Sequence, residues 1–365
     1  MLWISCKNRN PINPLELVLT SNHPKIKKVM DSVISHEVQI RYTRINRKND
    51  SVVFTEYDYQ VNDKTYFYPA STVKLLTAVL TLEKLNTIDT LTKNTRFYIE
   101  GDTLETTFAN EIIKIFAVSD NASNNRLVEF LGQNEINDKL KSKGIDGVRI
   151  SHRLSTANAD EITTKPLVIY LNDSTTSTTS TIINTSAIPL GIKGVLKGKG
   201  FMEDGLLQKE PFDMSLKNHY SIAAQHNVLK RIVFPKQFNE TEQFQISETQ
   251  YEFLLRAMSN LPKDAGYDSE IYHDNYGKFF IYGDSKENIP DYIKIYNKIG
   301  FAYGTVTDCA YIVDSKNNVE FMVTATLLVN KNGIFNDNTY EFEEIGLPFL
   351  AQLGRELYNY ELNNQ

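Results

Sequence analysis

Tyr68-Pro69-Ala70-Ser71-Thr72-Val73-Lys74 runs straight into Leu75-Leu76-Thr77-Ala78-Val79-Leu80-Thr81-Leu82-Glu83-Lys84-Leu85. Leucine and valine recur on every side of this run rather than along one stripe, which predicts a helix buried in the middle of a domain. Pro69 ends the preceding segment and Ser71 suits a first helical turn, so the serine belongs at the amino-terminal end. Lys74 lies one turn along the same face, where its amine can approach the Ser71 hydroxyl. Burial lowers the pKa of such an amine and makes it a base for the hydroxyl, while free N–H groups at the helix start can stabilise an oxyanion. Ser-x-x-Lys is a common string, and its place at the head of a buried helix is what singles it out.

Outward from this helix the two ends of the chain read as strands. Val38 to Tyr42 and Ser51 to Tyr57 alternate apolar and polar residues around Asn46-Arg47-Lys48-Asn49-Asp50, the pattern of a hairpin with one buried face. Tyr292 to Gly300, Cys309 to Asp314 and Val319 to Val329 are again β-like, and Glu341 to Tyr360 closes the chain as a helix. Between these ends, Glu111 to Val118, Asn124 to Leu131, Asn218 to Val233 and Ser247 to Leu261 have helical periodicity. Gly144 to Asp160 reads as irregular and Asp173 to Thr181 as an exposed polar loop. The expectation is an α+β fold, with an antiparallel sheet built from both termini and an inserted all-helical subdomain.

The chain has 365 residues, 41% hydrophobic and 23% charged, with a net charge of −6. That is ordinary for a soluble globular protein, and without a long basic block it argues against nucleic acid as a partner. No apolar run reaches the roughly 18 to 20 residues that cross a bilayer. Met1-Leu2-Trp3-Ile4-Ser5-Cys6-Lys7-Asn8 is similar to the tail of a bacterial lipoprotein signal, with Cys6 as the lipidated residue and the charged and most of the apolar part missing. This leads to the expectation of an exported protein, periplasmic or held at the outer membrane, with Pro11 to Pro24 as a tether. The other cysteine, Cys309, lies in an apolar segment and reads as a core residue, so the pair makes no disulfide framework.

Two further strings matter for chemistry. Val118-Ser119-Asp120-Asn121-Ala122-Ser123-Asn124-Asn125 is a polar turn between two apolar helices, and Lys298-Ile299-Gly300 ends a strand. Taken singly, the first reads as a helix cap and the second as an exposed lysine.

In the order Ser71-Thr72-Val73-Lys74, Ser119-Asp120-Asn121, Lys298-Ile299-Gly300, the three resemble the motif trio of the penicillin-recognising serine enzymes, and of class A β-lactamases in particular. The contexts match too: Val118 to Asn124 precedes a leucine-containing helix, and Lys298 to Ala310 leads into a strand. The likeness covers most of the chain from about Val38 onward and is weak between Ser142 and Asn218. It implies residues 25–365 as one catalytic domain after a 1–24 remnant or tether. Residues 25–70 and about 234–365 would form the sheet subdomain, and about 71–233 the helical one.

The resemblance also implies roles. Ser71 would be the acylated nucleophile, Lys74 its base or proton relay, and Ser119 the group that passes the proton to the leaving nitrogen. Asn121 would bind the amide of the substrate side chain and steady Lys74. Lys298 would offer positive charge to Ser119 and to the substrate carboxylate. The N–H groups of Ser71 and of Phe301, just after Gly300, would form the oxyanion hole. The expected substrate is a β-lactam or a peptidoglycan-derived amide, with no cofactor, no metal and a monomeric enzyme.

There are two departures from the pattern. Ile299 stands where the family usually carries Thr or Ser, which removes a hydroxyl that helps to bind the substrate carboxylate. Class A enzymes also carry a glutamate in a loop after the second motif, acting through a water in deacylation. Aligning Val148 to Arg153 with that loop puts Leu154-Ser155-Thr156-Ala157-Asn158 where Glu-x-x-x-Asn belongs, and the nearest carboxylates are Asp160 and Glu161. The departure touches deacylation and leaves acylation its groups. A D-Ala-D-Ala-type peptidase or esterase of the same fold, and a non-catalytic module that keeps the pocket, therefore stand beside the β-lactamase reading.

Other plans fit poorly. No Gly-x-Ser-x-Gly elbow occurs, and Gly283-Asp284-Ser285 lies in a polar loop. His219 and His226, seven apart on one predicted helix, miss the spacing of paired metal ligands.

Overall fold

The computed structural model describes residues 13–48 and 51–364. Cys6 and the signal-like start lie outside the described residues. Strands β1 (Gln39–Lys48) and β2 (Ser51–Tyr59) form the expected hairpin. From the other end come β3 (Ile293–Ala302), β4 (Thr305–Asp314) and β5 (Val319–Leu328). β5 pairs antiparallel with β1, Ile40 opposite Ala325, which closes one antiparallel sheet in the order β3-β4-β5-β1-β2. Both termini thus build a single sheet.

Side-chain alternation sorts this sheet into two buried faces. Ala310, Ile312, Phe321, Val323 and Ala325 enter a core closed by α1 (Pro14–Leu19), α2 (Pro24–Met30) and the C-terminal helix at Leu347–Asn363. Cys309, Tyr311 and Met322 enter the opposite core, shared with the helices of the middle of the chain. β4 and β5 are therefore buried along almost their whole length, which explains their near-continuous apolar sequence.

The stretch read as a tether is in part structural. Asn13 caps α1 by accepting the Leu15 N–H at 3.0 Å, Pro14 occupies the first helical position, and Leu15, Val18 and Leu19 are buried against the C-terminal helix. Each such burial is worth about 1.5–3 kcal/mol. One and a half turns of helix are too short for periodicity to reveal.

The leucine-rich run becomes α3 (Lys74–Leu85), in which every residue except Lys84 is buried. α4 (Phe108–Ala117) and α5 (Asn121–Leu131) pack against it, followed by α6 (Gln133–Ser142). Later come α7 (Ile222–Val233), α8 (Glu248–Ser259) and α9, the C-terminal helix at Leu347–Asn363.

The middle of the chain is not wholly helical. Thr106–Thr107, Arg96–Ile99, Leu167–Asn172 and Thr175–Thr178 form a four-stranded antiparallel sheet. The Ser/Thr tract read as a loop supplies its outer strand, since β-branched threonine fits a pleated, exposed edge. A third core gathers Tyr66, Tyr68, Ala70, Met214 and Phe335, backed by Phe201, Phe212 and Tyr303, and props up the chain that leads into Ser71.

Candidate active site

Ser71 sits in a single 3-10 turn, Ala70–Val73, that winds directly into α3. Ala70 is buried in the third core with φ at +48°, a left-handed conformation that costs a residue with a Cβ about 1–3 kcal/mol and persists only where packing enforces it. Thr72 fastens the turn by donating its hydroxyl to the Pro69 carbonyl at 2.7 Å. The Ser71 hydroxyl is half-buried and makes no hydrogen bond to a described residue. Lys74, the first residue of α3, is fully buried.

α4 and α5 both pack on α3, so the turn between them passes over Lys74. Asp120 caps α5 by accepting the Ser123 N–H at 2.6 Å, and this pins the preceding Ser119, whose φ is +56°. Lys74 Nζ donates to the Ser119 carbonyl and lies 3.2 Å from Ser119 Oγ. The expected approach to the Ser71 hydroxyl is not a hydrogen bond here, because the amine is engaged by Ser119. Burial lowers the Lys74 pKa to about 7, and the Asp120 charge opposes that shift in part.

The third string arrives on β3, the edge strand of the sheet. Lys298 pairs with Cys309 and so points to the helical side, where its Nζ donates to Ser119 Oγ at 2.8 Å and to the Ile299 carbonyl at 2.9 Å. Burial holds its pKa well below the usual lysine value, and the nearby Lys74 charge lowers it further. Ser119 Oγ thus accepts from two amines at once, and its own O–H stays free to donate. Gly300 follows on the same face. A Cβ there would stand 2.8 Å from both the Pro69 carbonyl oxygen and the Ser71 nitrogen, so β3 lies flush on the Ser71 turn and the position takes no side chain. The structure brings Ser71, Lys74, Ser119, Lys298 and Gly300 into one place.

Residues 25–183 match the model of the beta-lactamase enzyme family. The chain has the β-lactamase fold, and residues 25–183 resemble that family. Among solved structures it is similar to a β-lactamase from Sphaerobacter thermophilus, at 11% identity with TM-score 0.54, covering 94% of this chain and 95% of that one. A β-lactamase from Xanthomonas campestris gives 12% identity and TM-score 0.55 over 95% and 98% of the two chains. The enzyme from Streptomyces albus G gives 13%, 0.51, 90% and 96%. At these identities the likeness is one of fold. No curated protein matches the sequence.

On this β-lactamase fold the remaining expected residues are placed differently from one another. Phe301 turns its side chain to the other face of β3, half exposed between Phe279 and Phe342 at 6.1 and 5.3 Å between ring centroids, so only its backbone is available to the site. The Ile299 carbonyl faces Lys298 Nζ, and Phe301, two residues on along the same edge, repeats that backbone orientation. Asn121 opens α5 with its side chain half-buried and hydrogen-bonded to no described residue, Lys74 included. Ile299 is buried in the apolar core and presents nothing polar.

The loop from Gly144 to Asp160 faces the nucleophile turn with a histidine. The His152 ring stacks on Tyr68, 6.2 Å between centroids with planes 4° apart, and burial lowers its pKa to about 4, so it is neutral. Arg153 anchors the loop through paired bonds to Glu129 at 2.6 and 2.8 Å and through the carbonyls of Glu161 and Thr163. Asp160 and Glu161 are exposed, and no hydrogen bond ties either carboxylate to Ser71 or Lys74. The two histidines weighed as ligands also separate. His219 lies in a short strand against Tyr66, while His226, on α7, is buried between the hydroxyls of Thr43 and Thr324 at 2.7 and 2.9 Å.

Proposed function

We propose that this chain is a serine hydrolase of the class A β-lactamase type, opening a β-lactam or a related cell-wall amide through an acyl-enzyme at Ser71. The observation that carries this reading is the position of Ser119 Oγ, 2.8 Å from Lys298 Nζ and 3.2 Å from Lys74 Nζ, beside the Ser71 turn. Acyl transfer needs a nucleophile, a base, a proton path to the leaving group and donors for the oxyanion.

Ser71 Oγ attacks the amide carbonyl and gives up its proton to Lys74. With a pKa of about 7, Lys74 is about half neutral at neutral pH, the condition for a base that must also give the proton back. The proton moves along Lys74 to Ser119 and on to the leaving nitrogen, since the Ser119 O–H is the one donor in that pair of contacts left free. The N–H groups of Ser71 and Phe301 receive the developing negative charge on the carbonyl oxygen. Asn121, with its amide free, binds the acyl side chain, and Lys298 draws the substrate carboxylate.

Deacylation is the weak step. The loop after the second motif offers no carboxylate held toward Ser71, so the acyl-enzyme is expected to persist. This favours, as the second reading, a peptidase or esterase that hands its acyl group to another acceptor, and the buried Ile299 in place of a hydroxyl agrees with a substrate bound in a different way. Export with a lipid anchor at Cys6 belongs to the same proposal, and labelling with a radioactive fatty acid in a Cys6→Ser comparison tests it. Turnover of a chromogenic cephalosporin, followed together with intact mass, separates the readings. Fast turnover supports the β-lactamase, a persistent adduct supports the slow or transferring enzyme, and neither adduct nor turnover refutes acyl chemistry.

A further inference from the structure

The segment between α8 and β3, which the family resemblance left without a purpose, carries Lys278 into the protein interior. Lys278 is 2% exposed, and its Nζ donates to the Met258 carbonyl at 2.7 Å, to the Ile295 carbonyl at 2.9 Å and to Asn297 Oδ1 at 2.8 Å. All three acceptors need a hydrogen, and only the ammonium form has three to give. Burial lowers its pKa to about 7 and the Asp308 charge opposes that shift, so the amine is about half charged at neutral pH, and its ammonium form fills all three contacts. Its counter-charge is Asp308, fully buried, which accepts from Asn297 Nδ2 at 2.9 and 3.1 Å and from the Phe279 N–H at 3.2 Å. Asn297 also donates to the Gly277 carbonyl at 2.8 Å, so one amide joins cation to anion and both to the segment.

The placement of this trio relates it to the site. β3 is an edge strand, whose outward carbonyls need donors from elsewhere. Lys278 takes that of Ile295, and Lys298 takes that of Ile299, four residues on along the same edge. Asn297 and Asp308 reach each other diagonally across β3 and β4 on the face away from Ser71, directly behind Lys298. The Met258 carbonyl lies in the last turn of α8, so the cation also ties that helix end to the strand.

We propose that Lys278, Asn297 and Asp308 form a positioning group for Lys298, fixing the edge strand that carries it and setting, through their paired charges, how readily Lys298 is protonated. The charged groups around Lys298 are Lys74 from α3, Asp308 from β4 and Lys278 from the inserted segment; Asp120, in the turn beyond Ser119, acts on Lys74. The two buried charges push Lys298 in opposite directions: Lys278 disfavours its charged form and Asp308 favours it.

That opposition separates an electrostatic role from a merely structural one. The full chain, labelled with carbon-13 at lysine Cε, is titrated by NMR, with Lys298 assigned by its absence in Lys298→Arg. In Lys278→Met the Lys298 titration is expected to move up by about one pH unit, and in Asp308→Asn down by a similar amount. In the double variant it returns toward the starting value. Shifts in the same direction for both single variants, or none in folded protein, overturn the inference. Should Lys278→Met fail to fold, Asp308→Asn alone decides, since an unmoved Lys298 there is enough to refute it. The titration needs no substrate, so it stands or falls independently of the acyl-enzyme reading. Where a β-lactam adduct forms, the alkaline limb of the acylation rate is expected to follow the same opposed shifts.

Discussion

Replacing Lys74 by methionine separates what the site costs from what it does. The Lys74 amine is fully buried and its pKa falls from 10.5 to about 7. At about 1.4 kcal/mol per unit, holding the charged form in that place costs up to about 5 kcal/mol below pH 7. Methionine removes this cost and fills much of the same volume, but it leaves the Ser119 carbonyl without its donor, a loss of about 1–3 kcal/mol, while Ser119 Oγ keeps the Lys298 amine. The net expectation is a variant no less stable than the parent at pH 6, and up to about 4 kcal/mol more stable, whose acylation is slower by roughly a hundred- to ten-thousand-fold. The pH dependence follows from linkage. Because the folded pKa lies below the unfolded one, the unfolded chain binds the extra proton between about pH 7 and 10.5, and stability from this group rises with pH across that window. Urea unfolding at several pH values, with intact-mass kinetics of acylation by a β-lactam, measures both quantities. The stability difference between variant and parent should shrink as the pH rises from 7 toward 10. A variant that is destabilised by the same amount at every pH, or one that acylates at the parental rate, would refute the assignment of Lys74 as a buried amine working as a base.

Gly300→Ala puts a Cβ 2.8 Å from the Ser71 nitrogen and the Pro69 oxygen; the strand must lift, with an expected loss of about 1–3 kcal/mol in urea unfolding and at least about tenfold in acylation rate. Unchanged acylation there would mean that β3 does not border the nucleophile. Arg153→Met leaves the Glu129 carboxylate buried and unpaired, at an expected cost of about 3–5 kcal/mol, read as a lowered urea midpoint. The His152 ring protons should not titrate by NMR above about pH 5, since burial keeps the imidazole neutral; a midpoint near the ordinary value of about 6.5 would place the ring in solvent.

Much of this molecule could be read in advance wherever local pattern and final burial agree. The all-round apolar run from Leu75 to Leu85 became the buried α3, and the alternating ends became one sheet, because those elements spend their apolar residues on the faces that their periodicity marks. Ser71, Lys74, Ser119, Lys298 and Gly300 could be singled out because their order along the chain carried the family pattern. What was hidden depended on partners distant in sequence. Pro14 to Leu19 is too short to show a period, yet it is buried by a helix more than three hundred residues away. Thr175 to Thr178 looks like a loop until Leu167 to Asn172 offers it an edge. Nothing in the local sequence marks Lys278, and only the convergence of α8, β3 and the inserted segment gives it three acceptors. Asn121 was expected to steady Lys74, but Ser119 is closer and already holds that amine.

The central claim is a covalent bond to one hydroxyl. The protein is incubated with a β-lactam and weighed intact, and the adduct is then located by peptide mapping. One added mass equal to that of the opened lactam, on the peptide that contains Ser71 and absent from the Ser71→Ala variant with its fold unchanged, is the expected result. An adduct that survives in Ser71→Ala, or maps to another residue, would contradict the account.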